Sequence, residues 1–151
     1  MKVTAPIYLL KSRAPCWKCG AEQPVVALAC AEWEDDEGVT SEQYGNEPAL
    51  LANIENMPLE LLSLVRASRA GYELRHSHTA DCTYYVNTCG CGAFFGDFFL
   101  SEPGGPFDAW SEAAVLSIKV AALPLSGTFE VICGYSAGMV GLILRGGDRC
   151  N

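Results

Sequence analysis

Cys16–Gly20 reads Cys-Trp-Lys-Cys-Gly and Cys89–Gly92 reads Cys-Gly-Cys-Gly, and these two short stretches decide how the chain is expected to fold. A Cys-x-x-Cys-Gly turn directs two sulfur atoms and several backbone N–H groups toward one place, and its glycine lets the chain turn without a Cβ clash. Two such turns supply four thiolates, the ligand set of a closed tetrahedral zinc site. The sequence therefore predicts one structural zinc ion held by Cys16, Cys19, Cys89 and Cys91. A site closed by four protein ligands leaves no coordination position for a substrate.

The other cysteines leave alternatives open. The second cluster is Cys-x-Cys where Cys-x-x-Cys is usual, so Cys82 is an alternative ligand. Cys16 and Cys19 could instead form a thioredoxin-like dithiol at the start of a helix, although Gly20 and Pro24 argue against a helix there. The even total of eight cysteines also allows a disulfide framework.

The start of the chain does not resemble a secretion signal. Only eight residues of mixed character, Val3 to Leu10, separate Lys2 from Lys11 and Arg13, which is too short and too interrupted a stretch. We therefore expect a reducing, cytoplasmic location, with buried or incidental thiols at Cys30, Cys133 and Cys150.

Length and composition predict one domain over residues 1–151. The chain has 151 residues, of which 50% are hydrophobic, so it can bury a core that does not depend on the metal alone. No uncharged apolar run reaches the ~18 residues of a membrane span.

The net charge of −8 is concentrated in one segment. Between Lys18 and Arg66 there is no lysine or arginine, and the ten acidic residues there are Glu22, Glu32, Glu34, Asp35, Asp36, Glu37, Glu42, Glu47, Glu55 and Glu60. Such acidity repels phosphate backbones and attracts basic surfaces. An aromatic residue ringed by carboxylates is a common composition of an interface, which makes Trp33, Glu34, Asp35, Asp36 and Glu37 the predicted partner-binding residues, in a loop outside the core. The alternative is a solvated loop that only keeps the chain in solution.

Hydrophobic patterning and turn residues predict an α+β fold. We expect an antiparallel sheet with zinc knuckles at its hairpin tips and one or two helices inserted between them. The predicted helices are Pro48–Ile54 and Pro58–Ala70. The predicted strands are Pro24–Ala31, Tyr72–His76, Thr83–Val86, Ala93–Leu100 and Thr128–Gly134, while Ala113–Leu123 fits either type and Met139–Leu144 is left open.

The two knuckles also carry a resemblance to known proteins. Pro15–Gly20 and Tyr84–Ala93, with Phe95–Phe98 just beyond, resemble small uncharacterised bacterial zinc-ribbon-like proteins with split Cys knuckles. The resemblance covers the knuckles and their flanking strands, and the missing residue between Cys89 and Cys91 departs from the usual spacing. It implies a metal-bound antiparallel core and little about catalysis.

Two patterns are typical of enzymes. Gly134–Gly138 matches the G-x-S-x-G nucleophile elbow around Ser136, but no histidine follows it, so a triad would have to use His76 or His78 from upstream. His76 and His78 are two residues apart, so on a strand both imidazoles would face the same way and could act as metal ligands or as acid and base. Two exposed strand histidines are the simpler explanation.

These observations favour a binding protein over an enzyme. The predicted function is an acidic, zinc-stabilised module that binds a basic protein, concretely an immunity protein that covers a bacterial toxin. The alternatives are a small hydrolase or metal-dependent enzyme that uses His76, His78 or Ser136, and a nucleic-acid-associated zinc ribbon. The basic residues for nucleic-acid contact are few, namely Lys11, Arg13, Lys18, Arg66, Arg69 and Arg75.

Overall fold

The computed structural model describes residues 1–149 and has an α+β architecture in which nearly all strand pairs are antiparallel. The strands are β1 (Lys2–Pro15), β2 (Glu22–Glu34), β3 (Ala49–Asn56), β4 (Tyr72–Ser77), β5 (Cys82–Thr88), β6 (Phe94–Phe95), β7 (Lys119–Ala122), β8 (Thr128–Glu130), β9 (Ile132–Ala137) and β10 (Asp148–Arg149). The helices are α1 (Leu59–Ser68), α2 (Asp97–Ser101), α3 (Glu112–Ser117) and α4 (Val140–Gly146), with a single 3-10 turn at Glu42–Tyr44. Cys150 lies outside the described residues, so its predicted role as an incidental thiol stays a prediction.

The larger sheet closes on itself. Its strands follow the order β10-β7-β1-β2-β3-β9, and β8 pairs with β1. Only Val131 separates β8 from β9, and β9 pairs with β3, so the ring β1–β2–β3–β9–β8 returns to its starting strand. The Val131 N–H, which donates to the Met1 carbonyl oxygen at 2.9 Å, joins the two ends of the ring. Closure of this kind removes exposed strand edges from the ring.

Both faces of the larger sheet pack against other parts of the chain. Successive side chains of a strand point to opposite faces, so neighbouring residues belong to different cores. One face carries Leu9 and Leu28 and packs with Leu61 and Val65 of α1. The other face carries Leu10 and Val25 and packs with side chains from α2, α3 and α4, namely Leu100, Val115 and Ile143. The metal-site candidates Cys16 and Cys89 also belong to this second core.

The smaller sheet is joined to the larger one by a side chain. Its strand order is β4-β5-β6. Asn87 of β5 is fully buried, accepts a hydrogen bond from the Val26 N–H at 2.9 Å and donates one to the Val26 carbonyl oxygen at 3.0 Å. The carboxamide therefore satisfies both backbone groups of one β2 residue, as a paired strand would do.

Several predicted elements are confirmed and two are wrong. The strands at β2, β4 and β5 and the helix at α1 lie where the sequence placed them. The predicted helix over 48–54 is wrong, because this stretch is β3, which pairs with β2 on one edge and β9 on the other. Backbone pairing on both edges outweighs the helical preference of its alanines and leucines. The predicted strand over 93–100 is mostly wrong, because only Phe94–Phe95 is strand and α2 begins at Asp97.

The remaining open assignments resolve into short elements. The stretch over 113–123 contains both α3 and β7, and α4 occupies most of 139–144. The longest strand, β1, was not predicted from the sequence. Its alternation of apolar residues is interrupted by Lys11 and Arg13, of which Lys11 is half-buried and Arg13 is exposed.

Candidate metal centre

The first cysteine pair lies in the turn that joins β1 to β2. The Cys16 N–H donates to the Ala21 carbonyl oxygen at 2.8 Å, and the Gly20 N–H donates to the Cys16 carbonyl oxygen at 2.8 Å. Gly20 has a φ of 76°, which is the left-handed region that glycine adopts without strain. The Lys18 N–H also points at the Cys16 Sγ, at 3.4 Å. The turn thus positions Cys16 and Cys19 through its own backbone.

The second pair lies in the turn that joins β5 to β6, and it repeats this design with one residue fewer. The Cys89 N–H donates to the Ala93 carbonyl oxygen at 2.8 Å, and the Gly92 N–H donates to the Cys89 carbonyl oxygen at 3.0 Å. Gly92 has a φ of 94°. The short Cys-x-Cys spacing therefore still closes a turn that presents both sulfurs on one side.

The four sulfur atoms lie close enough together to share one metal ion. The Sγ atoms of Cys16 and Cys91 are 3.7 Å apart, those of Cys19 and Cys89 are 3.6 Å apart, and all four lie within 4.8 Å of one another. A tetrahedron with metal–sulfur bonds of about 2.3 Å has edges of roughly 3.8 Å. A disulfide bond of about 2.05 Å is excluded by these distances. The four predicted ligands therefore fit a metal ion between the two turns.

The alternatives for these cysteines do not fit the structure. The thioredoxin-like interpretation is wrong, because Cys16 and Cys19 lie in a turn between antiparallel strands and not at the start of a helix. Cys82 begins β5, at the opposite end of that strand from Cys89, and is not part of the four-sulfur group. All seven cysteines among residues 1–149 are free thiols, which excludes a disulfide framework in that part of the chain. Burial raises the pKa of Cys30 to about 12 and that of Cys133 to about 11, as expected for unreactive thiols.

The thiols of the group differ in their tendency to ionise. Backbone N–H groups of Cys19 and Lys18 lower the pKa of Cys16 to about 6, against the effect of its burial. The N–H of Cys91 acts in the same direction on Cys89, but burial and the neighbouring thiols prevail and raise the pKa of Cys89 to about 11. Four thiols at this spacing resist joint ionisation unless a cation lies among them.

Arg69, which the sequence suggested only as a basic residue for nucleic-acid contact, lies beside the second cysteine turn. Its guanidinium donates to the carbonyl oxygen of Thr88, the residue before Cys89. Burial lowers the pKa of Arg69, and the negative charge of Cys89 opposes that shift. The Arg69 Nε is buried and has no hydrogen-bond partner among the described residues. A cation held here offsets part of the double negative charge of a divalent ion bound by four thiolates.

Two other basic residues suggested for nucleic-acid contact, Arg66 and Arg75, make contacts within the protein. Arg66 donates from Nε to the Tyr72 carbonyl oxygen at 3.0 Å, and its guanidinium lies 5.9 Å from the centre of the Tyr85 ring. Arg75 forms an ion pair with Glu73 at 3.2 Å. These contacts hold the arginines against the protein, so the structure adds no support to a nucleic-acid interface.

The candidate catalytic residues lie in different parts of the fold. Ser136 is exposed on β9, where it pairs with Leu50 of β3, and no hydrogen bond within residues 1–149 joins it to a histidine. His76 is on β4 and His78 is in the turn just after it, with ring centres 5.1 Å apart and the rings nearly perpendicular. They line a groove beside the metal centre together with Trp17, Tyr84 and Phe98. The structure brings the two histidines together and leaves Ser136 apart from them.

The prediction that Trp33 lies in a surface loop is wrong. Trp33 is on β2, pairs with Val3 of β1 and is only 3% exposed. Its indole Nε1 donates to the Glu47 carbonyl oxygen at 2.9 Å, and its ring packs on Tyr135 with centres 4.6 Å apart. The acidic run begins before the strand ends, so the tryptophan takes an inward strand position and cannot act as an exposed anchor.

The acidic residues around Trp33 have different local roles. Asp35 accepts hydrogen bonds from the N–H groups of Glu37 and Val39 and from the Tyr135 hydroxyl at 2.8 Å, and the bond from Tyr135 lowers its pKa. Asp36 lies 2.5 Å from the Met1 ammonium group. Glu37 is exposed. Asp35 thus holds the turn after β2, whereas Glu37 is available to solvent.

Comparisons with known proteins give this chain no relative. No protein-family model, curated protein or solved structure matches it. In the described part of the chain, none of the helices has both the length and the apolar character that crossing a membrane requires.

Proposed function

We propose that Cys16, Cys19, Cys89 and Cys91 bind one Zn²⁺ ion that fixes the β1–β2 turn to the β5–β6 turn. The observation that carries this proposal is the close grouping of four free thiols, all within 4.8 Å of one another, at the tips of two hairpins. Zinc suits four thiolates and needs no redox partner, and its role here is to hold structure because the ligand set is complete. Thiolates persist in a reducing compartment, which supports a cytoplasmic location.

Metal content of the purified protein tests the site. We expect one zinc per chain, with zinc lost in Cys19→Ser and in Cys91→Ser and retained in Cys82→Ser, which alters a cysteine outside the group. Cys19 and Cys91 are exposed, so their replacement removes a ligand without opening the core. Iron at full occupancy would support the four-cysteine site but contradict zinc as its ion. Wild-type protein without any metal would overturn the proposal.

The function that this scaffold supports best is binding of a basic protein partner, for which a bacterial toxin held by its immunity protein is the concrete form. An acidic groove supports this function. The side chains of Glu32, Glu34 and Glu42 line it beside Lys2, the single basic residue in its wall, and it has a volume of about 600 Å³. Because Trp33 is buried, the attraction comes from these carboxylates and not from an aromatic anchor.

Association kinetics with a charge-matched control tests the binding function. The partner is recovered from the native host, identified and purified. We expect Glu32→Gln, Glu34→Gln and Glu42→Gln combined to lower the on-rate about tenfold or more at low salt, and the difference to shrink as salt rises. The control combines Glu22→Gln, Glu55→Gln and Glu112→Gln, which removes the same charge from exposed sites outside the groove. Equal on-rates for the two triple variants would remove the groove from the interface.

A further inference from the structure

The groove beside the metal centre is unlike the rest of the surface. It has a volume of about 470 Å³, and none of its lining residues is Asp, Glu, Lys or Arg, although 19% of the chain is charged. This volume lies within the range of small-molecule sites, roughly 300–1,000 Å³. Trp17 and Phe98 line it while remaining 65% and 80% exposed. Aromatic rings left in water beside a concave surface mark a place where something binds.

Two rings of this groove, those of Trp17 and His76, are held in position by side-chain contacts. The Trp17 indole Nε1 donates to the Phe94 carbonyl oxygen at 3.0 Å, so an exposed side chain has one fixed orientation. Trp17 lies between Cys16 and Cys19, so a bound metal would fix its backbone as well. His76 Nδ1 lies 3.3 Å from the Thr83 hydroxyl, and within residues 1–149 no hydrogen bond occupies its Nε2. Side chains ordered before binding lose little entropy on binding, which is how a surface site gains affinity.

We propose that this groove binds a neutral, planar heteroaromatic molecule of nucleobase or nucleoside size. Trp17 and Phe98 supply ring faces on which such a molecule can stack. His76, His78 and Asn53 supply nitrogen and oxygen atoms at the wall that can pair with the edge of a heteroaromatic ring. The wall has no Asp, Glu, Lys or Arg side chain to pair with a phosphate or an ammonium group, and the net charge of −8 opposes an anionic ligand. An uncharged ring system with polar edges can stack on the aromatic rings, can pair with the polar atoms of the wall and needs no charged partner.

Calorimetric titration of the metal-loaded, full-length protein with adenosine, guanosine, cytidine and uridine tests the proposal. We expect at least one nucleoside to bind saturably, with a dissociation constant below about 1 mM. Phe98→Ala and Trp17→Ala should each weaken that binding by about tenfold, the usual effect of removing a stacking ring. Trp110→Ala is the matched control, because Trp110 is 73% exposed but does not line the groove. The corresponding 5′-monophosphate should bind more weakly than the nucleoside.

Each other outcome contradicts the proposal. Saturation by none of the four nucleosides would show that the groove is not such a site. Equal weakening by Trp110→Ala would place the binding elsewhere, and tighter binding of the monophosphate would refute a neutral ligand. Phe98 lies outside both metal turns, so Phe98→Ala decides the question even where Trp17→Ala loses the metal. The proposal does not depend on the acidic groove or on its basic partner.

Discussion

The Asn87 side chain makes the two backbone hydrogen bonds that a neighbouring strand would otherwise make. Its carboxamide pairs with both backbone groups of Val26 and ties the smaller sheet to β2. Sequence patterning did not single it out, because an asparagine inside a run of strand residues gives no periodic signal. The clue lies in its chemistry, since a fully buried amide must find both a donor and an acceptor.

Asn87→Ala should lower the free energy of unfolding by about 2–4 kcal/mol, because two buried backbone groups lose their partners. Urea denaturation of the metal-loaded protein measures this. Asn56→Ala, at the exposed end of β3, is the control and should change stability by less than about 0.5 kcal/mol. A loss equal to that of the control would mean that water replaces the carboxamide at Val26.

Trp33 and Trp17 show what the sequence can decide at the residue scale. Trp33 was predicted as an exposed anchor from its acidic neighbours, yet its strand position turns it into the core. Trp17 drew attention only as part of a cysteine turn, yet its indole is 65% exposed. Composition around a residue does not tell which face of a strand it occupies, and that choice depends on register with strands distant in sequence.

At the scale of elements, the junction between β3 and α2 contains a carboxylate, that of Asp97, with a raised pKa. The Asp97 carboxylate at the start of α2 accepts a hydrogen bond from the Asn53 N–H at 2.7 Å. Burial nevertheless raises the pKa of Asp97 to about 6. Neither element was predicted correctly from the sequence, because the pairing of β3 with β2 and β9 and its contact with α2 join residues distant in sequence.

The raised pKa predicts that this junction is less stable in alkaline solution than in acid. Between the unfolded value near 4 and the folded value near 6, the native state binds more protons, so its stability falls as pH rises through that window. Asp97→Asn should therefore raise the unfolding free energy by about 1–3 kcal/mol at pH 8 and leave it unchanged at pH 4.

Urea denaturation across this pH range, with each variant compared to wild type at the same pH, measures the difference. Glu22→Gln removes an exposed carboxylate and should show no pH-dependent difference. Lower stability of Asp97→Asn than of wild type at pH 8 would show that the carboxylate's hydrogen bond outweighs the cost of its burial.

At the scale of the whole molecule, the sequence predicted the class and the four converging cysteines but not the architecture. The α+β class and the cysteine set follow from local patterns and spacing. Closure of the larger sheet depends on β8 and β9 pairing with β1 and β3, contacts that join residues more than half the chain apart. No periodicity within a segment encodes such a pairing, which is why the ring was not foreseen.

The two cores should respond differently when the metal is removed. Cys16 and Cys89 belong to the core that also contains Phe95 and Leu100, whereas the core around Leu9, Leu28 and α1 contains none of the four ligands. Chelation should therefore speed amide hydrogen exchange in the two cysteine turns and in α2, because the proposed ion would be the direct link between those turns. The backbone amides of β3 and α1 should keep their protection, since closure of the larger sheet does not involve the ion.

Hydrogen exchange followed by mass spectrometry in wild type, with and without chelator, measures this difference, and added zinc should restore protection. Cys82→Ser should respond to chelator as wild type does. An equal loss of protection throughout residues 1–149 would mean that the metal holds the entire fold, and unchanged exchange in the turns would mean that the four thiols hold their positions without it.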